Sequence, residues 1–245
     1  DARERKRKIT VKDVRSPKLK FYDEKGRIVK ELNLSSEKST GKIKETRPGY
    51  KKGEYEAELT TVKRPVVSRQ GKYAVLDNST FAAIGEAGVA IGKIVLHDAV
   101  GSTLFEKQFS YGTGVLDEEL MVSDSGTVAV ITSDKEEGPG GEILHAYDKT
   151  GKELLVYPKE EEAAPGSLLK MASNGKFLAI RVRFEHKYTR TAFFDLENNM
   201  SWKADQDYNV NEISDNGIVK ADYYDEIKRE PSDTVTIDLG ARMKP

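Results

Sequence analysis

The sequence contains no cysteine, a single tryptophan, three histidines and no long run of apolar residues. The absence of cysteine excludes disulfides and thiolate chemistry, and a chain without cysteine fits either side of a membrane. No stretch approaches the ~18 to 20 apolar residues that a membrane-spanning helix needs. Basic and acidic residues number 40 and 41, so the net charge gives no argument for binding nucleic acid or an anionic membrane.

Motifs of catalytic and nucleotide-binding sites are also missing from the sequence, including a serine nucleophile elbow, a P-loop and a dinucleotide fingerprint. Residues 85–92 are rich in glycine, but they join two predicted strands and open no helix. We therefore interpret them as a hairpin loop, not as a phosphate cradle. The histidines (His97, His145 and His186) have no spacing that forces metal binding, and we interpret them as structural or surface residues. We expect a protein that is not an enzyme.

What the sequence does contain is a recurring turn motif, in which Asp ends an apolar strand and Gly or Asn follows three residues later. It occurs at Asp23, Asp98, Asp148 and Asp195, with a weaker copy at Asp238, whose glycine comes one residue early. The Asp side chain can cap the N–H groups of the turn, and Gly or Asn accepts the positive φ that closes a hairpin. We interpret these aspartates as turn residues and not as catalytic carboxylates.

A second turn motif precedes other apolar strands, and it begins with Ser and ends with Gly. Its copies are Ser-Arg-Gln-Gly71, Ser-Asp-Ser-Gly126, Ser-Asn-Gly175 and Ser-Asp-Asn-Gly217. The aspartates of the first motif are separated by 75, 50, 47 and 43 residues. A period of roughly 40 to 50 residues with four short strands is typical of a β-propeller blade.

The combination of Ser-Asx-Gly before one strand and Tyr-Asp-x-x-Gly between the next two resembles the PQQ-like and WD-type propeller repeats. The resemblance covers nearly the whole chain and implies a propeller fold, while its motifs specify turns and not chemistry. It does not imply a quinone cofactor, because the quinone-binding enzymes of that family use a vicinal disulfide and stacking aromatics. This chain has no cysteine and only Trp202.

The predicted fold is all-β and propeller-like, a single domain over residues 1–245 with about five four-stranded blades. The first blade lacks its opening strand and the last blade lacks its closing strand. An open β-solenoid or a sandwich made from the same hairpins is the alternative. Because an unpaired edge strand invites pairing with another chain, we expect a partner protein or a neighbouring copy to complete an edge.

The period has one long interruption at residues 35–53, which we interpret as a lysine-rich inserted loop on the rim or outer face. Between Lys38 and Lys52, six basic residues accompany one acid. We predict that this loop contacts a partner, and a plain mobile insertion is the alternative. The predicted partner-binding residues are Lys42, Lys44, Arg47, Tyr50, Lys51 and Lys52.

One set of alternating oxygen-bearing side chains suggests calcium, namely Asp205, Asp207, Asn209 and Asn211. Calcium takes six to eight oxygen ligands, and the helix-loop-helix type of site also needs Gly and Glu where this chain has Val210 and Asn216. A polar connection between blades is the favoured interpretation. Apart from calcium at this site, no cofactor is expected.

The predicted function is a non-enzymatic binding or assembly scaffold that uses rim loops and exposed blade edges for protein contacts. The alternative is a carbohydrate-binding or carbohydrate-active protein with its site in the central funnel. That alternative predicts carboxylates and aromatics clustered at one mouth of the ring. Since the sequence begins with Asp1 and not with Met, we expect an extracytoplasmic product whose targeting segment has been removed.

Overall fold

The computed structural model describes residues 10–12, 17–45, 52–84, 87–134, 141–158, 163–184, 188–225 and 230–243. These residues form antiparallel strands arranged in five sheets, with one short helix near the end of the chain. Within the same residues, no helix has both the length and the apolar character needed to cross a bilayer.

The sheets follow one another in chain order. Sheet 1 consists of β1 (Thr10–Lys12), β2 (Lys18–Tyr22) and β3 (Ile28–Asn33). Sheet 2 contains β4 (Glu37–Glu45), β5 (Gly53–Thr61), β6 (Arg64–Val67), β7 (Tyr73–Asp77), β8 (Thr80–Ile84), β9 (Ala87–Asp98) and β10 (Thr103–Tyr111). Sheet 3 contains β11 (Thr113–Val122), β12 (Val128–Asp134), β13 (Glu142–Tyr147) and β14 (Glu153–Tyr157). Sheet 4 contains β15 (Ala164–Met171), β16 (Phe177–Phe184), β17 (Tyr188–Asp195) and β18 (Met200–Lys203). Sheet 5 consists of β19 (Tyr208–Ile213), β20 (Ile218–Asp225) and β21 (Glu230–Asp238), and α1 (Leu239–Arg242) follows it.

Each sheet packs against the next one through a shared apolar core. Phe21 and Leu76 belong to the core between sheets 1 and 2, and Val75 and Val130 to that between sheets 2 and 3. The two remaining cores join sheet 3 to sheet 4 and sheet 4 to sheet 5. The seven-stranded sheet 2 and the four-stranded sheets 3 and 4, flanked by a three-stranded sheet at each end, confirm the predicted all-β, propeller-like fold. No core cluster of described residues joins sheet 1 to sheet 5.

Sheet 2 is larger than a blade because β9 belongs to two sets of strands. Its second half pairs with β7 over Ile94–Asp98, which completes a blade in the order β6, β7, β9, β10. Its first half pairs with β8 over Ala87–Ile91, and β8 pairs with β5, which pairs with β4. Strands β4, β5 and β8 therefore extend the second blade beyond the repeat.

The glycine-rich stretch at residues 85–92 was predicted as a hairpin loop, and this prediction is wrong from residue 87 onward, where β9 begins. Gly92 in this stretch and Gly114 in β11 allow the two backbones to approach closely. A β-carbon at Gly92 would lie 3.0 Å from the Thr113 carbonyl oxygen, and one at Gly114 would lie 2.9 Å from the β-carbon of Ala90. Glycine in a strand interior often marks such a crossing, here between β9 and β11.

The Asp motif forms the predicted turns in sheets 1 to 3. One carboxylate oxygen of Asp98, for example, accepts hydrogen bonds from the N–H groups two and four residues later, at 3.0 and 2.8 Å. In sheet 4 the residue with positive φ is Asn199, one position after the predicted Asn198. The weaker copy at Asp238 forms no hairpin turn, because its side chain instead accepts a hydrogen bond from the Ala241 N–H and caps α1.

The Ser motif also forms turns, and these turns bond to one another across the blades. The carboxylate of Asp124, in the sheet 3 turn, accepts the Gln70 N–H of the sheet 2 turn and the Ser173 hydroxyl of the sheet 4 turn, both at 2.7 Å. Asp215, in the sheet 5 turn, accepts the Asn174 N–H of the sheet 4 turn at 2.8 Å. A belt of polar contacts therefore links four consecutive blades at one end of their strands.

Candidate functional site

The hairpin of β4 and β5 is the largest departure from the blade repeat. The two strands pair without a bulge along their whole length, from Glu37 opposite Thr61 to Glu45 opposite Gly53. The predicted inserted loop at residues 35–53 is therefore largely wrong as secondary structure, since residues 37–45 form a strand. The sequence did not reveal this strand because Ile43 is its only large apolar residue, and its pairing partner supplies the rest of the pattern.

One face of the hairpin is apolar and has a small core of its own. Ile43, Ala57 and Ala82 are each at most 5% exposed, and Leu59 and Tyr111 pack against them. A β-carbon at Gly41 would lie 2.6 Å from the Leu59 side chain, so the glycine leaves room for that leucine. Because Tyr111 is the last residue of β10, this core holds the β4–β5 hairpin in a defined position against the end of β10.

The opposite face of the hairpin carries a ladder of opposite charges. Lys42 lies opposite Glu56, and Lys44 lies opposite Glu54. The Lys38 ammonium lies 2.6 Å from the Glu58 carboxylate, although both side chains are largely exposed. This hydrogen bond raises the pKa of Lys38 and lowers that of Glu58. Three of the lysines that suggested a basic loop are thus matched by glutamates of the neighbouring strand.

The predicted partner-binding residues divide into two groups. Lys42 and Lys44 lie on the charged face of β4 and are exposed, and Lys52 is exposed just before β5 begins. Arg47, Tyr50 and Lys51 lie outside the described residues. Sequence reasoning missed the three glutamates at positions 54, 56 and 58, although their alternation with Tyr55, Ala57 and Leu59 is the period of a strand with one apolar face.

Two of the four residues of the calcium prediction bond to different partners. Asp207 accepts hydrogen bonds from Arg181 at 3.1 Å and from Thr189 at 3.0 Å. Asn211 donates instead to Asp222 of β20, at 2.9 Å, and the other two residues are exposed. In the described part of the chain, no three His, Asp or Glu side chains are placed to hold a metal ion. The calcium site at Asp205, Asp207, Asn209 and Asn211 stays a prediction.

The first strand of each blade bears on the carbohydrate alternative, because these strands would line a central funnel. Strand β11 bulges at residues 116–119, where Glu118 has a φ of 64°. Of its acids, Asp117 pairs with Arg64 of sheet 2, and Glu119 accepts the Leu168 N–H of sheet 4 at 2.5 Å. Burial raises the pKa of Glu119. These two acids hold neighbouring blades together, and Tyr208 is the one aromatic residue on β6, β11, β15 and β19.

Two histidines lie within the interfaces between blades. The His97 ring packs edge-on to Phe21 at 5.7 Å, and the His145 ring lies 5.3 Å from that of Phe109. Burial lowers the pKa of both imidazoles. Such aromatic surroundings are those of a packed interior, as expected from the sequence, while His186 lies outside the described residues.

Comparison with known proteins supplies no family. No model of a known family matches the chain, and no curated protein matches it either. Among solved structures, a prolyl endopeptidase is similar with a TM-score of 0.37 and 9% identity, over 85% of this chain and 42% of that one. TolB from Acinetobacter baumannii is similar with a TM-score of 0.39 and 16% identity, over 93% of this chain and 58% of that one. The chain therefore spans about half the length of these two structures.

Proposed function

We propose that this protein is a non-enzymatic protein-binding scaffold that contacts its partner through the β4–β5 hairpin. The observation that supports the proposal is that this hairpin lies outside the blade repeat and still has an apolar core of its own. A segment that only connected two blades would not need such a core. The hairpin presents an exposed charged face and strand β4 at the end of the sheet.

In this proposal, Lys42, Lys44 and Lys52 contact the partner, together with Arg47, Tyr50 and Lys51. The three-stranded sheets at either end of the array are second contact surfaces, through which a neighbouring copy associates. The turn motifs support repeats of the PQQ-like or WD type, and we place the protein outside the cytoplasm.

Site-specific photo-crosslinking tests the hairpin as the contact surface. A photoreactive amino acid would replace Thr40 in β4, and in a control variant it would replace Ser201, which is exposed on the edge strand of sheet 4. Both variants would be irradiated in an extract of the source organism, and crosslinked proteins would be identified by mass spectrometry. We expect one protein to crosslink at position 40 only and to bind the purified scaffold saturably. Equal crosslinking at both positions, or none at position 40, would contradict the proposal.

Light scattering tests self-association through the terminal sheets. We expect a discrete oligomer whose mass falls to that of a monomer when residues 240–245 and 1–14 are removed. A monomer both before and after trimming would exclude the terminal sheets as assembly surfaces.

A further inference from the structure

The outer edge of β4 is a second binding feature of the hairpin, distinct from its faces. Strand β4 is the terminal strand of sheet 2, and no other described strand pairs with its outer side. It is nine residues long and has no proline. Such an edge presents a row of backbone N–H and C=O groups to which an extended segment can add as a further strand.

The side chains of β4 define what such a segment must contain. One face of the strand carries Lys38, Lys42 and Lys44, and the other carries Ser39, Gly41 and Ile43. In a sheet, a residue directly opposite another lies on the same face, and opposite charges in such pairs are favourable. An added strand would therefore place acidic side chains beside the lysines and small apolar side chains beside Gly41 and Ile43.

Strand β5 already shows that this pattern fits β4. Its glutamates at positions 54, 56 and 58 lie on the lysine face, and its Tyr55, Ala57 and Leu59 lie on the apolar face. The same alternation on the open side would place each lysine between two acids. The strand already paired with β4 therefore shows which residue types suit a strand added to its open edge.

A second copy of β4 does not fit the open edge. Antiparallel pairing about Gly41 would bring Lys38 of one copy opposite Lys44 of the other, and pairing about Thr40 would bring Lys38 opposite Lys42. Like charges directly opposite each other are destabilising in a sheet. Shifting the register by one residue would place lysines on the apolar face. Pairing of β4 with β4 of a second copy is therefore disfavoured.

We propose that β4 binds an extended partner segment in which acidic and apolar residues alternate, and that the segment adds to its edge as a β-strand. The inference rests on the proposed function, since it specifies the partner chemistry of the same hairpin. It goes further in assigning a binding mode, backbone pairing along β4, and a sign of charge to the partner.

A peptide with the sequence of residues 53–61, labelled with a fluorophore, is the probe, and the same peptide with lysine at its three glutamate positions is the control. Fluorescence anisotropy with the full chain would measure binding at low and high salt. We expect the acidic peptide to bind at least about tenfold more tightly than the basic one, with the difference shrinking as salt screens the charges.

A charge-swapped variant of the chain supplies the matched control. It carries glutamate at Lys38, Lys42 and Lys44 and lysine at Glu54, Glu56 and Glu58, so each cross-strand pair keeps opposite charges while the edge strand changes sign. We expect the peptide preference to invert. Amide hydrogen exchange of the variant would verify that β4 and β5 still pair.

Hydrogen exchange also distinguishes strand addition from simple ionic contact. When the acidic peptide binds, the N–H groups of alternate β4 residues, which point away from β5, should become protected. Binding without this protection, or no preference for the acidic peptide, would overturn the inference. Protection of those N–H groups in the free protein, together with a dimeric mass, would overturn it in favour of a second copy. If the inference failed while crosslinking at position 40 still identified one partner, the proposed function itself would stand.

Discussion

At the scale of single residues, contacts between blades depend on polar side chains in the turns, and Asp124 is the clearest case. It joins three consecutive blades through its bonds to Gln70 and Ser173. Burial by itself would raise the pKa of Asp124, but these hydrogen bonds outweigh it and lower the pKa below the usual 3.8. The sequence showed that this residue lies in a turn. It did not show that the carboxylate faces the turns of two other blades, because those turns lie about 50 residues away on either side.

Replacing Asp124 with alanine should lower the free energy of unfolding by about 1–3 kcal/mol, because the Gln70 N–H and the Ser173 hydroxyl lose their acceptor. Urea denaturation would measure the change. Asp205→Ala removes an exposed carboxylate and should change the stability by no more than about 0.5 kcal/mol. Equal stabilities for the two variants would contradict the role of Asp124.

The contribution of Asp124 should also depend on pH. Since its folded-state pKa is depressed, its stabilisation is fully present above pH 3.8 and is lost as the pH falls through the lower folded-state value. The difference in unfolding free energy between wild type and Asp124→Ala should therefore be constant near neutrality and shrink in acid. A difference that did not change with acidification would show that the charged form is not the stabilising one.

Alanine variants of two glycines distinguish the cost of backbone strain from the cost of disturbed packing between blades. Gly26 and Gly175 have φ values of 77° and 73°, so alanine at either position should cost about 1–2 kcal/mol from its backbone alone. A β-carbon at Gly26 would meet nothing within 4 Å, whereas one at Gly175 would overlap the Thr127 side chain of sheet 3. We therefore expect Gly175→Ala to be the more destabilising variant in thermal unfolding. Similar melting temperatures for both variants would mean that the turns of sheets 3 and 4 can separate freely.

At the scale of elements, strands with a strong apolar pattern could be predicted from the sequence and strands defined by their neighbours could not. Strands β13 (Glu142–Tyr147) and β14 (Glu153–Tyr157) flank the predicted turn at Asp148. Strand β15 is less evident from the sequence, because it begins at Ala164 and includes Pro165, a residue type that rarely lies within a strand. A proline is tolerated there because β15 is an edge strand and has a bulge just after it. The candidate site belongs to the second group, since β4 is positioned by its pairing with β5.

The hairpin should be able to open without unfolding the blades. Ile43→Ala removes the largest of the three buried side chains of the hairpin core, and loss of a buried isoleucine typically costs about 2–5 kcal/mol. We expect hydrogen exchange to accelerate in residues 37–45 and 53–61 while sheets 3 and 4 keep their protection. Val29→Ala, at a side chain that is 49% exposed, should leave exchange unchanged. Faster exchange throughout the molecule would mean that the hairpin and the blades unfold together.

At the scale of the whole molecule, neighbouring sheets stabilise each other through shared apolar cores. Each of sheets 2, 3 and 4 contributes residues to two of these cores. At one end of the series, Phe21 is fully buried between sheets 1 and 2. Towards the other end, Trp202 stacks on Phe193 at 5.4 Å and lies 5.3 Å from the Arg242 guanidinium of α1. A change at one end should therefore be detectable at the other if the array unfolds as one unit.

Phe21→Ala tests this cooperativity, because loss of a buried phenylalanine typically costs about 3–5 kcal/mol. Fluorescence of Trp202, the only tryptophan, reports on sheets 4 and 5, while circular dichroism reports on all strands. We expect both transitions to shift to lower denaturant together. A separate early transition in circular dichroism, with the fluorescence transition unmoved, would show that sheet 1 unfolds independently.

The sequence by itself determined the all-β class, the repeat of about five blades and the positions of most of their turns. These features follow from short-range chemistry, since an Asp that caps a turn and a Gly that accepts positive φ act within five residues of chain. Only the tertiary structure decided that residues 37–45 form a strand, that its lysines face glutamates, and that Asp124 binds two other blades. Those features depend on which distant segments become neighbours, and a single sequence carries no local signal of that pairing.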